Sequence, residues 1–84
     1  MELRALRAKA RAIEPSVRIG KFGATHTTIE EIKRQLKARK LVKIKLLKNA
    51  PVEDVKALGA ELAVKTAAQL VDVVGRVVVL YTEG

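Results

Sequence analysis

Apolar residues recur along this chain first at helical spacing, then at strand spacing, and the alternation repeats. Leu3, Leu6, Ala10 and Ile13 fall on one face of a helix, with Arg4, Arg7, Lys9 and Arg11 off it. Pro15 ends that helix. Ser16-Val17-Arg18-Ile19 then alternates polar and apolar, the pattern of a short half-buried strand. A second helix is expected to begin between Thr25 and Thr28, because threonines suit the N-cap and Thr27 with Glu30 has capping-box spacing. Its core face is Ile29, Ile32 and Leu36, and Lys33, Lys37 and Lys40 form a basic row on another side.

From Leu41 to Lys48 the period becomes two, with Val42, Ile44 and Leu46 on one face and Lys43, Lys45 and Leu47 on the other. Asn49-Ala50-Pro51 predicts a turn into a third helix with Pro51 at its first position. Val52, Val55, Leu58 and Leu62 supply its stripe. Gly59 inside that helix costs roughly 1 kcal/mol relative to Ala, so either a neighbour packs closely there or the helix is weakened. Gln69 to Val74 and Val77 to Tyr81 are two strands joined by Gly75-Arg76, a link that suits a type II′ turn. The last strand is apolar on both faces and belongs inside the sheet, partly covered on both sides. The expected architecture is a single α/β domain over 1–84, ordered α-β-α-β-α-β-β, with three helices and a four-stranded mixed sheet.

Charge adds a polarity that hydropathy does not show. Residues 1 to 48 carry 14 Lys or Arg against four Glu, a net of +10, whereas residues 49 to 84 carry three basic against five acidic residues, a net of -2. A basic half of this kind attracts a polyanion by steering and counterion release; the alternative is a solvated surface that keeps a small protein soluble. With no cysteine, disulfides, thiolate metal sites and cysteine nucleophiles are excluded. No apolar run reaches the ~20 residues of a membrane span and the N-terminus has no secretory core, so a cytoplasmic chain is expected.

Candidate chemistry gathers at Gly20-Lys21-Phe22-Gly23, between a predicted strand and a predicted helix. Two glycines let the backbone bend and approach a ligand, and the helix start aims unpaired N–H groups and a positive dipole end at the same place. That combination suits phosphate. Lys21 can pair with it, while Phe22 either stacks on a base or tucks back onto the core as a loop anchor. Phe22 and Tyr81 are too few aromatics for a base-stacking sheet, which favours recognition through backbone and shape. His26, the single histidine, has no partner for a metal site and reads as a surface residue at the helix start. No nucleophile signature, paired carboxylates or G-K-[ST] ending is present, so neither an enzyme nor a cofactor or metal site is expected.

The run Ile19-Gly20-Lys21-Phe22-Gly23-Ala24-Thr25, then Ile29 to Ile32 leading to Leu41-Val42-Lys43-Ile44-Lys45, then Gly75 with Leu80-Tyr81, resembles the CRM domain. This is the chloroplast RNA splicing and ribosome maturation family, whose stand-alone bacterial members are the YhbY-like proteins. The resemblance runs nearly end to end and implies a fold similar to the C-terminal domain of bacterial translation initiation factor three. It also implies RNA binding through the glycine loop and the adjoining basic surface, with precursors of the large ribosomal subunit as partner. By position, Gly20, Lys21 and Gly23 match the family's loop and Lys43 its second-strand basic residue; where many members continue the final Leu-Tyr with a basic residue, this chain has Thr82. The expected RNA-binding set is therefore Gly20, Lys21, Phe22, Gly23 and Thr25 with Lys9, Arg11, Arg18, Lys33, Lys37, Lys43 and Lys45, on a monomer. The rival reading is an Alba-like nucleoid or RNA-coating protein, which has a related fold and predicts a stable dimer.

Overall fold

Only two positions of the first helical stripe go fully inside. In the computed structural model, which describes residues 2–83, α1 (Leu3–Ala12) buries Leu6 and Ala10 and leaves Leu3 and Ile13 at its ends partly exposed. β1 is shorter than the alternation predicts, Val17–Ile19, although the Ser16 N–H still donates to the Lys43 carbonyl. α2 spans His26–Arg39 and β2 Leu41–Leu46, so Leu47 and Lys48 lie past the strand end. α3 is Val55–Lys65, and the hairpin is β3 (Gln69–Val74) and β4 (Val77–Tyr81).

The start of α2 is fixed within its expected range, while the end of that helix and the start of α3 differ from expectation, each for a local hydrogen-bonding reason. Thr25, not Thr27, caps α2: its hydroxyl accepts from the Thr28 N–H at 3.2 Å, and the Thr28 hydroxyl accepts from the Thr25 N–H at 3.3 Å. Lys40 leaves the basic row, because it terminates the helix in the left-handed conformation (φ 68°) with its N–H on the Leu36 carbonyl. Pro51 does not start α3. Its segment is held in tight turns by Ala50 and Val52 N–H groups, and Asp54 caps the helix by accepting from the Ala57 N–H at 3.0 Å.

The sheet order is β1-β2-β4-β3, with β1 and β2 parallel and the other pairs antiparallel. β4 thus lies inside the sheet, and Val78, Val79 and Leu80 are all buried, as its two-sided apolarity requires. Val42, Ile44, Val78 and Leu80 face α2 and α3; Val79 faces the other way, against Leu6 and Ala10 of α1. A bulge between Leu70 and Asp72 gives β3 one extra residue, Val71, which joins the α1 cluster. Arg7 fastens this layer by donating to the Val71 carbonyl at 3.2 Å.

Gly59 is where α3 comes down on the sheet. A Cβ there would stand 3.2 Å from Leu70 Cδ1 and 3.3 Å from Val78 Cγ1, so close packing is the answer to why a glycine sits mid-helix. Gly75 takes φ 56° and Arg76 has no positive φ, the pattern a type II′ link needs. Among the described residues no helix is long and apolar enough to cross a membrane.

Candidate nucleic-acid interface

The chain leaves β1 at Ile19 and must reverse within a few residues to enter α2. It does so in a β-turn whose ends are the two glycines, with the Gly23 N–H donating to the Gly20 carbonyl at 3.0 Å. Gly23 holds φ 70°, which a side chain would strain. Lys21 and Phe22 occupy the corner and both are exposed, Phe22 to 79%. The anchoring alternative for Phe22 is therefore not what forms: its ring stays out of the core and carries the Lys21 ammonium 5.1 Å from its centroid.

The turn rests on the segment after β2. A Cβ on Gly20 would lie 3.8 Å from Asn49 Oδ1 and Leu47 Cδ1, and one on Gly23 would lie 3.7 Å from Pro51 Cγ. The Leu47 N–H donates to the Ile19 carbonyl at 2.8 Å, tying bed to loop. That bed is itself held by Arg76, whose guanidinium donates to the carbonyls of Leu46 (3.4 Å), Leu47 (2.9 Å) and Ala50 (3.4 Å). Arg76 was not legible as part of the site. The sequence places it in a hairpin turn, and only the topology brings that turn to the same end of the sheet as the glycine loop.

Beyond Gly23 the capping box uses the Thr28 and Thr25 N–H groups and the Thr25 hydroxyl. The His26 and Thr27 N–H groups keep no intrahelical acceptor, so the open end of α2 remains a donor pair with the helix dipole behind it. Thr25 thus shapes this end of the site through the backbone.

The basic candidates divide between two faces. Arg18 and Lys45 are register partners on adjacent strands, both exposed, on the face opposite the buried Val17, Ile19, Ile44 and Leu46. Arg11 joins them from α1: with Ala10, Lys43, Val77 and Val79 it lines a groove of about 230 Å³ between that helix and the sheet. Lys43 has a different occupation from its neighbours. Its ammonium donates to the Ala10 carbonyl at 3.0 Å and the Ile13 carbonyl at 3.1 Å, closing the C-terminus of α1 and complementing its dipole. Lys9 faces a separate cleft on the far side of α1.

Lys33 and Lys37 lie on the exposed side of α2, across the sheet from Arg18 and Lys45. Lys33 is 3.4 Å from Glu30, and the next cation, Arg34, is paired with Glu31. Hydrogen bonds from Arg34, then from Gln35, hold the Glu31 carboxyl below its usual range, and the same pairing raises Arg34. Lys37, Arg18, Lys45 and Arg11 have no such carboxylate partner among the described residues. Nor do the described residues contain a group of three or more His, Cys, Asp or Glu placed to hold a metal ion.

Comparison with known proteins points the same way along the whole chain. The sequence is 44% identical over 79 residues to "Probable RNA-binding protein MJ0652" of Methanocaldococcus jannaschii, covering 93% of this chain and 58% of that one. It is 36% identical over 80 residues to "Probable RNA-binding protein YqeI" of Bacillus subtilis, covering 95% and 82%. The chain therefore spans little more than half of the archaeal relative. The solution structure of the hypothetical protein SAV1595 from Staphylococcus aureus, a proposed RNA-binding protein, superposes with a TM-score of 0.82 at 36% identity, covering 98% of this chain and 84% of that one. The sequence pattern of the CRS1/YhbY (CRM) domain matches residues 1–82, and the chain belongs to that family.

Proposed function

We propose that this chain binds structured RNA, and specifically precursor RNA of the large ribosomal subunit, as a cytoplasmic monomer without catalytic activity of its own. The observation that carries the reading is the Gly20–Gly23 turn at the open start of α2, with Lys21 and Phe22 exposed at its corner. Loop and helix-start N–H groups with Lys21 grip consecutive phosphates, and Phe22 offers a flat apolar face for an unpaired base. Arg18, Lys45 and Arg11 on one face, and Lys33 and Lys37 on the other, neutralise flanking backbone. Lys9 extends this around α1. Thr25 and Lys43 act through position, by capping α2 and closing α1. The names of the bacterial and archaeal relatives support the RNA partner.

The test compares binding to large-subunit precursor fragments, an unrelated hairpin and duplex DNA across a salt series, together with sizing of the free protein. Tighter binding to the precursor by a monomer, lost in Gly23→Asp, supports the reading. A stable dimer that coats duplex DNA cooperatively supports the Alba-like alternative.

A further inference from the structure

A cleft of about 710 Å³, larger than the groove under α1, opens at the other end of the parallel pair from the glycine loop. Its walls include Ile13, Pro15 and Leu41, and Lys9, Glu14 and Arg39 line it as well. Ile13 is a large apolar side chain left 39% exposed there. The three charged groups have no ion-pair or hydrogen-bond partner among the described residues, unlike Lys33, Arg34 and Lys65, which have taken acids on their own helices. Apolar walls with a few unsatisfied polar groups, at this volume, have the composition of a small-ligand site.

We infer that this cleft receives one unpaired nucleotide of the bound RNA, with guanine preferred. Lys9 and Arg39 present two cations to a phosphate. Ile13, Pro15 and Leu41 present apolar surface to a base. Glu14 presents a carboxylate, an acceptor only, and guanine is the base whose Watson–Crick edge sets an imino and an amino N–H side by side. The position agrees with the main interface. β1 is an edge strand, Ser16 at its entry lines the cleft, and Gly20 at its exit begins the loop. That path is about 13 Å at strand rise. Arg18 stands exposed midway along it, so a strand leaving the loop has a cation under its backbone before it reaches the cleft. The inference rests on the RNA-binding reading above for the identity of the ligand, but the cleft and the loop are separable by mutation.

Titration of 5′-GMP into the full chain, followed by amide resonances, is the direct test. Saturable shifts are expected at Ile13, Ser16 and Leu41, weaker with 5′-UMP, and retained in Gly23→Asp, so that a failed loop leaves the cleft measurable. The Lys9→Ala/Arg39→Ala double variant, altered only at exposed positions, should abolish them. The same variant should weaken binding of a blunt hairpin modestly, through two lost cations, and should cost about tenfold more for a hairpin with an unpaired guanine beside its stem. Absence of saturable shifts, equal shifts from inorganic phosphate or 5′-UMP, or tighter binding of an acidic peptide to the same residues would overturn the proposal.

Discussion

Gly23 and Gly59 are both glycines in confined places, yet the molecule asks opposite things of them. At Gly59 the backbone is ordinary helix and the surroundings are full, with Leu70 and the buried Val78 within 3.3 Å of where a Cβ would be. At Gly23 the surroundings are open, with the nearest atom 3.7 Å away, and it is the backbone angle of +70° that excludes most residues. One glycine serves packing and the other serves curvature. The region around Gly59 can be damaged only by losing the fold, whereas the region around Gly23 can be damaged by losing what the loop touches.

The largest effect should come from Gly59→Val. Its branched side chain must push α3 off Leu70 and Val78, and overpacking of a tight core costs about 1–3 kcal/mol or more. In a domain this small that lowers the melting temperature by roughly 4–8 °C per kcal/mol. Denaturant unfolding would register it, while RNA affinity at a temperature where the variant is folded should be unchanged. An unaltered midpoint would mean that α3 yields freely, and the contrast with Gly23 would lose one side.

Gly23→Asp should invert the pattern. Aspartate tolerates positive φ better than most residues, so the fold should lose only about 1 kcal/mol, the low end of the usual cost. It also sets a carboxylate among the groups proposed to hold phosphate, and RNA affinity should fall at least tenfold, about 1.4 kcal/mol. Anisotropy titration beside far-ultraviolet circular dichroism separates the two quantities. Retained affinity in the folded variant would remove the loop from the interface.

Arg76→Met lies between these extremes because Arg76 belongs to neither class. Its guanidinium holds the carbonyls of Leu46, Leu47 and Ala50, and those residues form the bed of the glycine loop without touching solvent ligands. Losing charged donors to partly buried carbonyls costs about 1–2 kcal/mol of stability. A loosened bed should weaken RNA binding about threefold, through a loop less ordered before it binds. Arg76→Lys, which keeps the charge but not the fork, should recover only part of the stability and of the affinity.

How far the sequence could be read follows the same division. Val78 and Leu80 were legible because packing writes itself into periodicity, in a strand apolar on both faces; Gly59 was legible as a mid-helix glycine with two explanations, and the contacts with Leu70 and Val78 decide for packing. The Gly20–Gly23 turn was legible from residue type and its place between strand and helix. Arg76 and Lys43 were not. Each works by long-range bonds to backbone carbonyls, Arg76 to residues 26 to 30 positions away and Lys43 to residues 30 to 33 positions away. A lysine alternating along a strand looks solvated until the topology lays a helix terminus over it. The start of α2 was legible only to within Thr25 to Thr28, for the opposite reason of being too local: Thr25 and Thr27 are equally good caps by type, and a reciprocal bond to Thr28 decides between them.

The smallest predicted effect concerns a pair that touches neither glycine and so measures the background against which both are read. Glu31 has its pKa lowered below the ordinary 4.5, by the Arg34 hydrogen bond first and the Gln35 bond second. A carboxyl depressed in the folded state contributes stability that is complete above its unfolded pKa and is lost as pH falls through the folded one. Arg34, raised above its already high ordinary value by the same pairing, stays charged throughout that range and adds no slope of its own. Both groups are exposed, so the contribution is small and screened. Arg34→Ala should therefore reduce, slightly, the drop in unfolding midpoint between about pH 6 and about pH 3, and should do so only at low salt. RNA affinity should barely change, since this guanidinium is already committed to Glu31. A loss comparable to that of Gly23→Asp would instead place the outer face of α2 at the centre of the interface, with the glycine loop at its margin.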